Sequence, residues 1–252
     1  MNAPQRPVVF ERIRPRRAFE EICERIRDQL SAGGLKPGDK LPPERELAVQ
    51  LGVGRNAVRE AMRSLEFAGI VELRKGTKGG AFIRQGDPGS MTQVLQDLIH
   101  LGSISLDELT EARLHMLEVV VRLACERATV ADLDALAANI DRTEAVSATG
   151  DAFARLECSR EFYRLLVAAT QNQALCVLVE SLTEVLMKYL RASVSAGLRM
   201  HPDLVDVRRR FLSLLAARDA DMAAREMRSH LQGVHRLLTG ADANTRRARR
   251  PA

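Results

Sequence analysis

One stretch, residues 41–82, constrains this chain more than any other: LPPERELAVQLGVGRNAVREAMRSLEFAGIVELRKGTKGGAF. Pro42 and Pro43 precede residues 44–51, and proline suits a helix start because its missing N–H falls where no intrahelical acceptor exists. Leu47, Ala48 and Leu51 recur there at helical spacing. Gly52-Val53-Gly54 breaks the pattern. Residues 55–67 resume it, with Val58, Ala61, Met62 and Leu65 on one face at about 100° per residue. Arg55, Arg59 and Arg63 step along a different face. After Gly69, residues 70–73 and 81–83 read as two strands joined by Lys75-Gly76-Thr77-Lys78-Gly79-Gly80. Helix, tight turn, basic helix and basic hairpin is the order of a winged helix-turn-helix.

The chemistry suits that order. A helix fits the major groove of DNA, and a planar guanidinium can bridge two acceptors on a guanine edge. Arginines one turn apart aim both groups the same way. The preceding helix would cross the backbone, with Arg45 near its start on a phosphate. Asn56 lies beside Arg55 at the start of the basic helix. Gly79 and Gly80 at the hairpin tip would let the backbone approach DNA closely, and Lys75 and Lys78 would flank that approach with charge. The candidate DNA-binding set is therefore Arg45, Arg55, Asn56, Arg59, Lys75, Lys78, Gly79 and Gly80. An arginine row by itself is usually a solvated face; the turn, the first helix and the Gly-rich hairpin at these distances outweigh that reading.

PPERELA, GRNAVREAMRSLEFAGIVE and KGTKGGAF resemble the DNA-binding domain of the GntR family of bacterial transcription regulators, over roughly residues 15–84. The resemblance implies DNA contacts at Arg45, Arg55, Arg59 and the wing glycine Gly80. Gly54 departs from it, since the family often has Ser or Thr there.

Charge agrees. The chain carries +5 overall. Residues 1–90 hold 17 Lys and Arg against 12 Asp and Glu, whereas residues 91–239 hold 17 against 20. A basic first third on an acidic remainder suits DNA binding at one end. No apolar run reaches the length of a membrane span, and the N-terminus lacks the apolar block of a signal peptide. Cys23, Cys125, Cys158 and Cys176 form no CxxC pair and read as reduced thiols. The expected location is the bacterial cytoplasm, on the nucleoid when DNA is bound, with no membrane partner.

The expected organisation is a flexible arm over residues 1–15, a winged helix-turn-helix over 16–85 and a linker, GDPGS, over 86–90. An all-helical effector-binding and dimerisation domain over 91–239 and a basic disordered tail over 240–252 follow. Within the first domain, residues 16–32 read as a helix with Phe19, Ile22, Ile26 and Leu30 on one face. From residue 91 onward no strand pattern stands out. Helices are expected near 91–101, 106–128, 131–148, 152–170, 173–197, 203–217 and 220–239. Thr129 with Asp132 resembles a capping box, and Asp219 sits where a cap between antiparallel helices belongs. The fold class is thus mainly α: a winged helix-turn-helix with a small β-wing, then an antiparallel bundle of six or seven helices.

ELTEARLHMLEVVVRLACERAT, REFYRLLVAATQNQAL and RRRFLSLLAARDADMAAREMRSHL resemble the FCD effector domain of the FadR-type branch of that family. The resemblance implies a helical bundle with a buried ligand pocket and, in many members, a metal held by an Asp and a His four apart and by two further His. Those positions fall here on Ser159, Tyr163, Arg208 and His230. Only His230 is retained. Ser and Tyr are poor ligands at neutral pH and Arg repels a cation, so no metal and no other cofactor is expected. No HExxH, GxSxG, Walker loop or GxGxxG stands in a suitable context, so no catalytic residue and no enzyme is expected.

Arg113, Ser159, Tyr163, Arg208 and His230 could instead line a polar pocket in which guanidinium groups hold a carboxylate or phosphate directly. The plainer reading, left open by the sequence, is interhelical ion pairing to Glu111, Glu118 or Glu161, or solvation of the run Arg208-Arg209-Arg210. On this evidence Arg113 is the preferred anion anchor. The function expected is a homodimeric, ligand-responsive repressor. It would bind a palindromic double-stranded operator and leave it when a small anion, an organic acid or an acyl-CoA-like molecule, binds. The rival is an architectural DNA-binding protein without an effector.

Overall fold

A computed structural model describes residues 16–76, 79–84, 89–197 and 203–248. The chain divides into two compact units, one closing at Ser90 and the other opening at Met91.

In the first unit α1 (Arg16–Ser31), α2 (Glu44–Leu51) and α3 (Arg55–Phe67) pack around one apolar centre. Ile22, Cys23 and Ile26 of α1 meet Val58, Ala61, Met62 and Leu65 of α3. These side chains recur every three or four residues, so each helix buries one stripe, and every fully buried aliphatic contributes about 1.5–3 kcal/mol. The turn from α2 to α3 is sharp because Gly52 takes a left-handed backbone, φ 66°, which costs glycine nothing. Strands β1 (Val71–Arg74) and β2 (Gly80–Ile83) form an antiparallel hairpin pairing Val71 with Ile83 and Arg74 with Gly80. Val71 and Ile83 close the core from below. Lys40 makes a single antiparallel bridge to Phe82 on the other edge of β2.

The second unit holds α4 (Gly89–His100), α5 (Leu106–Arg127), α6 (Val130–Thr149), α7 (Ala152–Ala168), α8 (Gln173–Ser195), α9 (Leu204–Ala216) and α10 (Ala220–Ala248). Helix α5 is central and packs against α7, α8, α9 and α10, with Leu117, Val120, Val121 and Ala124 fully buried. Polar residues at the ends fix where the helices begin. Ser105 with Glu108 and Thr129 with Asp132 form reciprocal capping boxes at α5 and α6. Asp151 and Asn172 cap α7 and α8, and Asp219 accepts from the Met222 N–H at 3.1 Å at the start of α10. Arg218, between α9 and α10, takes φ 61° and donates to the carbonyls of Cys125 (2.7 Å) and Ala128 (2.6 Å). It thereby satisfies carbonyls that the end of α5 leaves without an intrahelical donor.

Two boundaries differ from expectation. The linker 86–90 is cut short because α4 begins at Gly89. Helix α10 runs to Ala248, so most of the stretch expected as a disordered tail is helical; Ala and Arg are strong helix formers and no proline intervenes before Pro251. The arm 1–15, linker residues 86–88 and tail residues 249–252 lie outside the described residues. All four cysteines are free, and burial pushes the Cys23, Cys125 and Cys176 thiols up. Among the described residues no helix is long and apolar enough to cross a membrane.

Candidate DNA interface and buried-arginine site

In the first unit the apolar stripe of α3 faces inward, so Arg55, Asn56, Arg59 and Arg63 stand exposed on the remaining surface. Gly54 precedes α3 in an extended backbone and offers no side-chain cap. The first N–H groups of the helix therefore remain open to an anion. Arg45 is exposed in the first turn of α2. Arg59 is not idle: its Nε lies 3.5 Å from Glu44 Oε2, both side chains being about half exposed. A wholly solvated row was too simple a picture for this residue.

The hairpin glycines have a reason internal to the fold. A Cβ on Gly79 would sit 2.3 Å from the Arg74 carbonyl oxygen and 2.8 Å from that of Gly76. Gly80 holds φ 139°, which side-chain-bearing residues avoid, and a Cβ there would meet the Lys40 side chain at 2.8 Å. Closing the hairpin already requires both glycines, whatever approaches from outside. Lys75 is exposed beside them; Lys78 lies outside the described residues. Arg74, passed over in the sequence, covers the Phe82 ring at 4.5 Å while holding Glu72 at 2.9 Å.

The second unit buries two arginines. Arg113 on α5 and Arg208 on α9 are each 2 % exposed. Arg113 donates from Nε to Thr183 Oγ1 at 3.3 Å, and its Cζ lies 4.2 Å from the Tyr163 ring centroid. Arg208 donates from Nη1 to Thr143 Oγ1 at 3.3 Å, and its Cζ lies 4.4 Å from the Phe162 centroid. On both, Nη2 is buried without a hydrogen-bond partner among the described residues. Burial pulls the Arg208 guanidinium down to about 10, with the nearby Arg155 cation acting in the same direction. That shift equals about 3 kcal/mol against the charged form, yet leaves the group protonated near neutrality.

Arg208 therefore departs from the reading of its run as solvated. Helix α9 buries Leu204, Arg208, Phe211 and Leu215 at helical spacing. Arg209 and Arg210 point outward to Glu144 (2.7 Å) and Glu226 (3.1 Å). Neither Arg113 nor Arg208 pairs with Glu111, Glu118 or Glu161. His115 and Arg228 face Glu118, and Arg164 takes Glu161 at 2.7 Å.

Of the five candidate pocket residues, the structure brings Arg113 and Tyr163 into direct contact. Arg208 joins them through Phe162, whose ring meets Tyr163 edge-on at 5.7 Å. Ser159 is buried and spends its hydroxyl on the Arg155 carbonyl at 3.0 Å. His230 stands apart. It lines a cleft of about 390 Å³ between α9 and α10 with Asp203, Asp206 and Glu226, and none of the other four takes part. The sequence reading missed Thr143, Thr183, Phe162 and Arg155. The signal available for the threonines was a hydroxyl among the mostly apolar inward residues of each helix.

The model of the bacterial regulatory proteins of the gntR family matches residues 18–83, and that of the FCD domain matches residues 108–233. The chain belongs to the GntR family. Its helical unit is an FCD domain, consistent with a FadR-type GntR regulator. A Mycobacterium tuberculosis protein described as an uncharacterized HTH-type transcriptional regulator is 36% identical over 173 residues, 68% of this chain and 69% of that one. An Escherichia coli protein whose name makes it a candidate regulatory protein of the L-lactate dehydrogenase operon is 30% identical over 240 residues, 92% and 91% of the two chains. Among solved structures, a Streptococcus agalactiae GntR superposes with a TM-score of 0.65 at 25% identity, covering 86% of this chain and 99% of that one. These relatives are transcription regulators, not enzymes, and so is this GntR protein.

The metal positions that the family resemblance implies do not fit a divalent ion here. Arg208 puts a buried cation at one of them, Tyr163 lies flat against the Arg113 guanidinium, the Ser159 hydroxyl is engaged, and His230 opens on another cleft. A metal needs several N, O or S donors converging on one point, and a guanidinium repels it.

Proposed function

We propose that this GntR regulator is a homodimeric repressor that a small anion releases from a palindromic operator. Two-fold pairing follows from readout: one recognition helix spans too few base pairs, and two related helices read two half-sites about one turn of DNA apart. Arg55, Asn56 and Arg59 of α3 read base edges, while Arg45, Lys75, Lys78 and the α3 N-terminus hold phosphates. Gly79 and Gly80 act by closing the hairpin that carries the lysines. Working on DNA, the protein acts in the cytoplasm.

The observation that carries the effector reading is the pair of buried guanidinium groups with unpartnered Nη2 atoms inside the helical unit. Buried cations ordinarily meet an acid. Here the bonded partners are threonine hydroxyls and the stacked groups are aromatic rings, which leaves charge for an anion to neutralise. Arg113 and Arg208 bind it; Ser159 and Tyr163 shape the walls; His230 is left to the α9–α10 cleft. The relative named for an L-lactate operon points to a carboxylate. An effector that prefers one arrangement of the helical unit shifts the population of dimers able to bridge both half-sites.

The test is operator selection from random duplexes, followed by gel-shift titration with carboxylates. Selection of an inverted repeat, and loss of the shifted band at saturating carboxylate, is the expected result. Selection of no sequence at all would leave an architectural protein instead.

A further inference from the structure

The two arginines are not equivalent members of one charge cluster. Arg113 lies 4.2 Å from the Tyr163 ring and Arg208 4.4 Å from the Phe162 ring, and the two ring centroids are 5.7 Å apart. Each end has its own hydroxyl, Thr183 beside Arg113 and Thr143 beside Arg208. Each end also has one guanidinium nitrogen buried and unbonded. Tyr163 carries one guanidinium and Phe162 the other, and the two rings meet edge-on. Beside Arg208, Arg155 is half-buried, and the Asn139 amide donates to the Cys158 carbonyl at 3.1 Å.

We infer that the effector is a dicarboxylate, one carboxylate taken by Arg113 and Thr183, the other by Arg208 and Thr143, with its carbon chain against Phe162 and Tyr163. The inference rests on the anionic-effector reading above and narrows it. A monoacid leaves one buried guanidinium with its nitrogen still unbonded; a diacid satisfies both. The planar fork of each arginine matches a carboxylate with two parallel hydrogen bonds, and the aromatic step accepts methylenes. In this arrangement the guanidinium at residue 208 does directly what a metal would do for an anion.

Tyr163 and Thr183, which contact Arg113, also line a cleft of about 40 Å³ on the α7–α8 face, together with Glu161, Glu180 and Glu184. That is room for about one water molecule.

The experiment is calorimetric titration of the full-length protein with straight-chain dicarboxylates from malonate to suberate, each beside the monoacid of equal carbon number and beside L-lactate. At least one diacid should bind roughly tenfold or more tightly than its monoacid, the worth of one added charge-assisted pair. Arg113→Met and Arg208→Met should each reduce that diacid to the level of the monoacid, and the double variant should bind neither. Arg113→Lys and Arg208→Lys keep the charge but lose the fork, and should fall between. Operator binding without ligand reports that each variant is folded.

If a monoacid binds as well as every diacid, or if only one arginine matters, two-point recognition is overturned while an anionic effector still stands. If no diacid binds but a monoacid does, the result is the same. If no carboxylate binds and a neutral compound frees the operator, both readings fall.

Discussion

The two units use the same side chain in opposite ways. In the first, Arg45, Arg55 and Arg59 stand on the surface with their charge facing water. In the second, Arg113 and Arg208 are shut inside the bundle against aromatic rings. An exposed guanidinium costs the fold almost nothing and waits for a large polyanion whose binding releases counterions. A buried, unpaired guanidinium costs stability continuously, and only a ligand small enough to enter can recover it. Removing a surface arginine should therefore weaken binding and spare the fold, whereas removing a buried one should spare the fold or improve it and abolish the response.

The largest effect belongs to Arg208. Replacing it by Met keeps the volume and removes a desolvated charge, so Arg208→Met should stabilise the ligand-free protein by about 1–4 kcal/mol. Its pKa is lowered in the folded state to about 10. The wild-type penalty is therefore complete below that pH and fades as pH rises through it, because the native state then sheds the proton before the unfolded chain does. Denaturant unfolding of wild type and variant at about pH 8 and about pH 11 should show the gap narrowing at the higher pH. A destabilised variant at both would mean that Arg208 has a structural acid partner after all.

Next come the exposed arginines. Arg55→Ala and Arg59→Ala should each weaken operator binding by roughly 1–3 kcal/mol and relax sequence preference. Their unfolding should stay within about 0.5 kcal/mol of wild type. Gel shifts on operator and scrambled duplex, paired with thermal melts, separate the two. Unchanged affinity for both would move the recognition face off α3.

Smaller, and confined to the hairpin, is Gly79→Ala. Its methyl would be driven into the Arg74 carbonyl, 2.3 Å away. Overpacking of this kind costs about 1–3 kcal/mol, some of it absorbed by the hairpin tip. Gly54→Ser is the control: nothing lies within 4 Å of its added Cβ, and a hydroxyl at that N-cap should stabilise α3 by a few tenths of a kcal/mol. Differential scanning calorimetry should show opposite shifts, both in the first unit.

Much of this was legible before any coordinates. Spacing alone placed α1, α2, α3, the hairpin and the order of helices in the second unit, because apolar periodicity is a local property of the chain. Thr129, Asp132 and Asp219 announced their caps for the same reason. For Arg208 the sequence left pocket and solvated surface both open: a run of three arginines looks solvated, and only the phase of α9 against its neighbours buries the first and exposes the other two. For His230, retention of a family histidine carries no information about which cleft it lines, here the one between α9 and α10. At Gly79 and Gly80 the structure adds a second reason, because crowding within a hairpin depends on carbonyl positions that no residue pattern records.

The smallest predicted effect tests the boundary of the comparison, at Glu44. It reaches the exposed row, holding Arg59 at 3.5 Å. A half-exposed pair of this kind is worth about 0.2–1 kcal/mol, so Glu44→Gln should barely change stability. Its effect on binding should be qualitative. In the free protein Glu44 restrains Arg59 on the recognition face, and near a phosphate backbone the same carboxylate repels. Removing the charge should raise affinity for scrambled DNA a few-fold and raise operator affinity less, because Arg59 becomes free to settle on phosphates. The ratio of operator to scrambled binding should then fall, most visibly at low salt where unscreened charge matters most. Gel-shift titrations across a salt series measure it. If both affinities rise by the same factor, Glu44 merely dilutes the positive charge of the face. If neither changes, Arg59 leaves Glu44 on binding at no cost, and its row behaves as fully solvated.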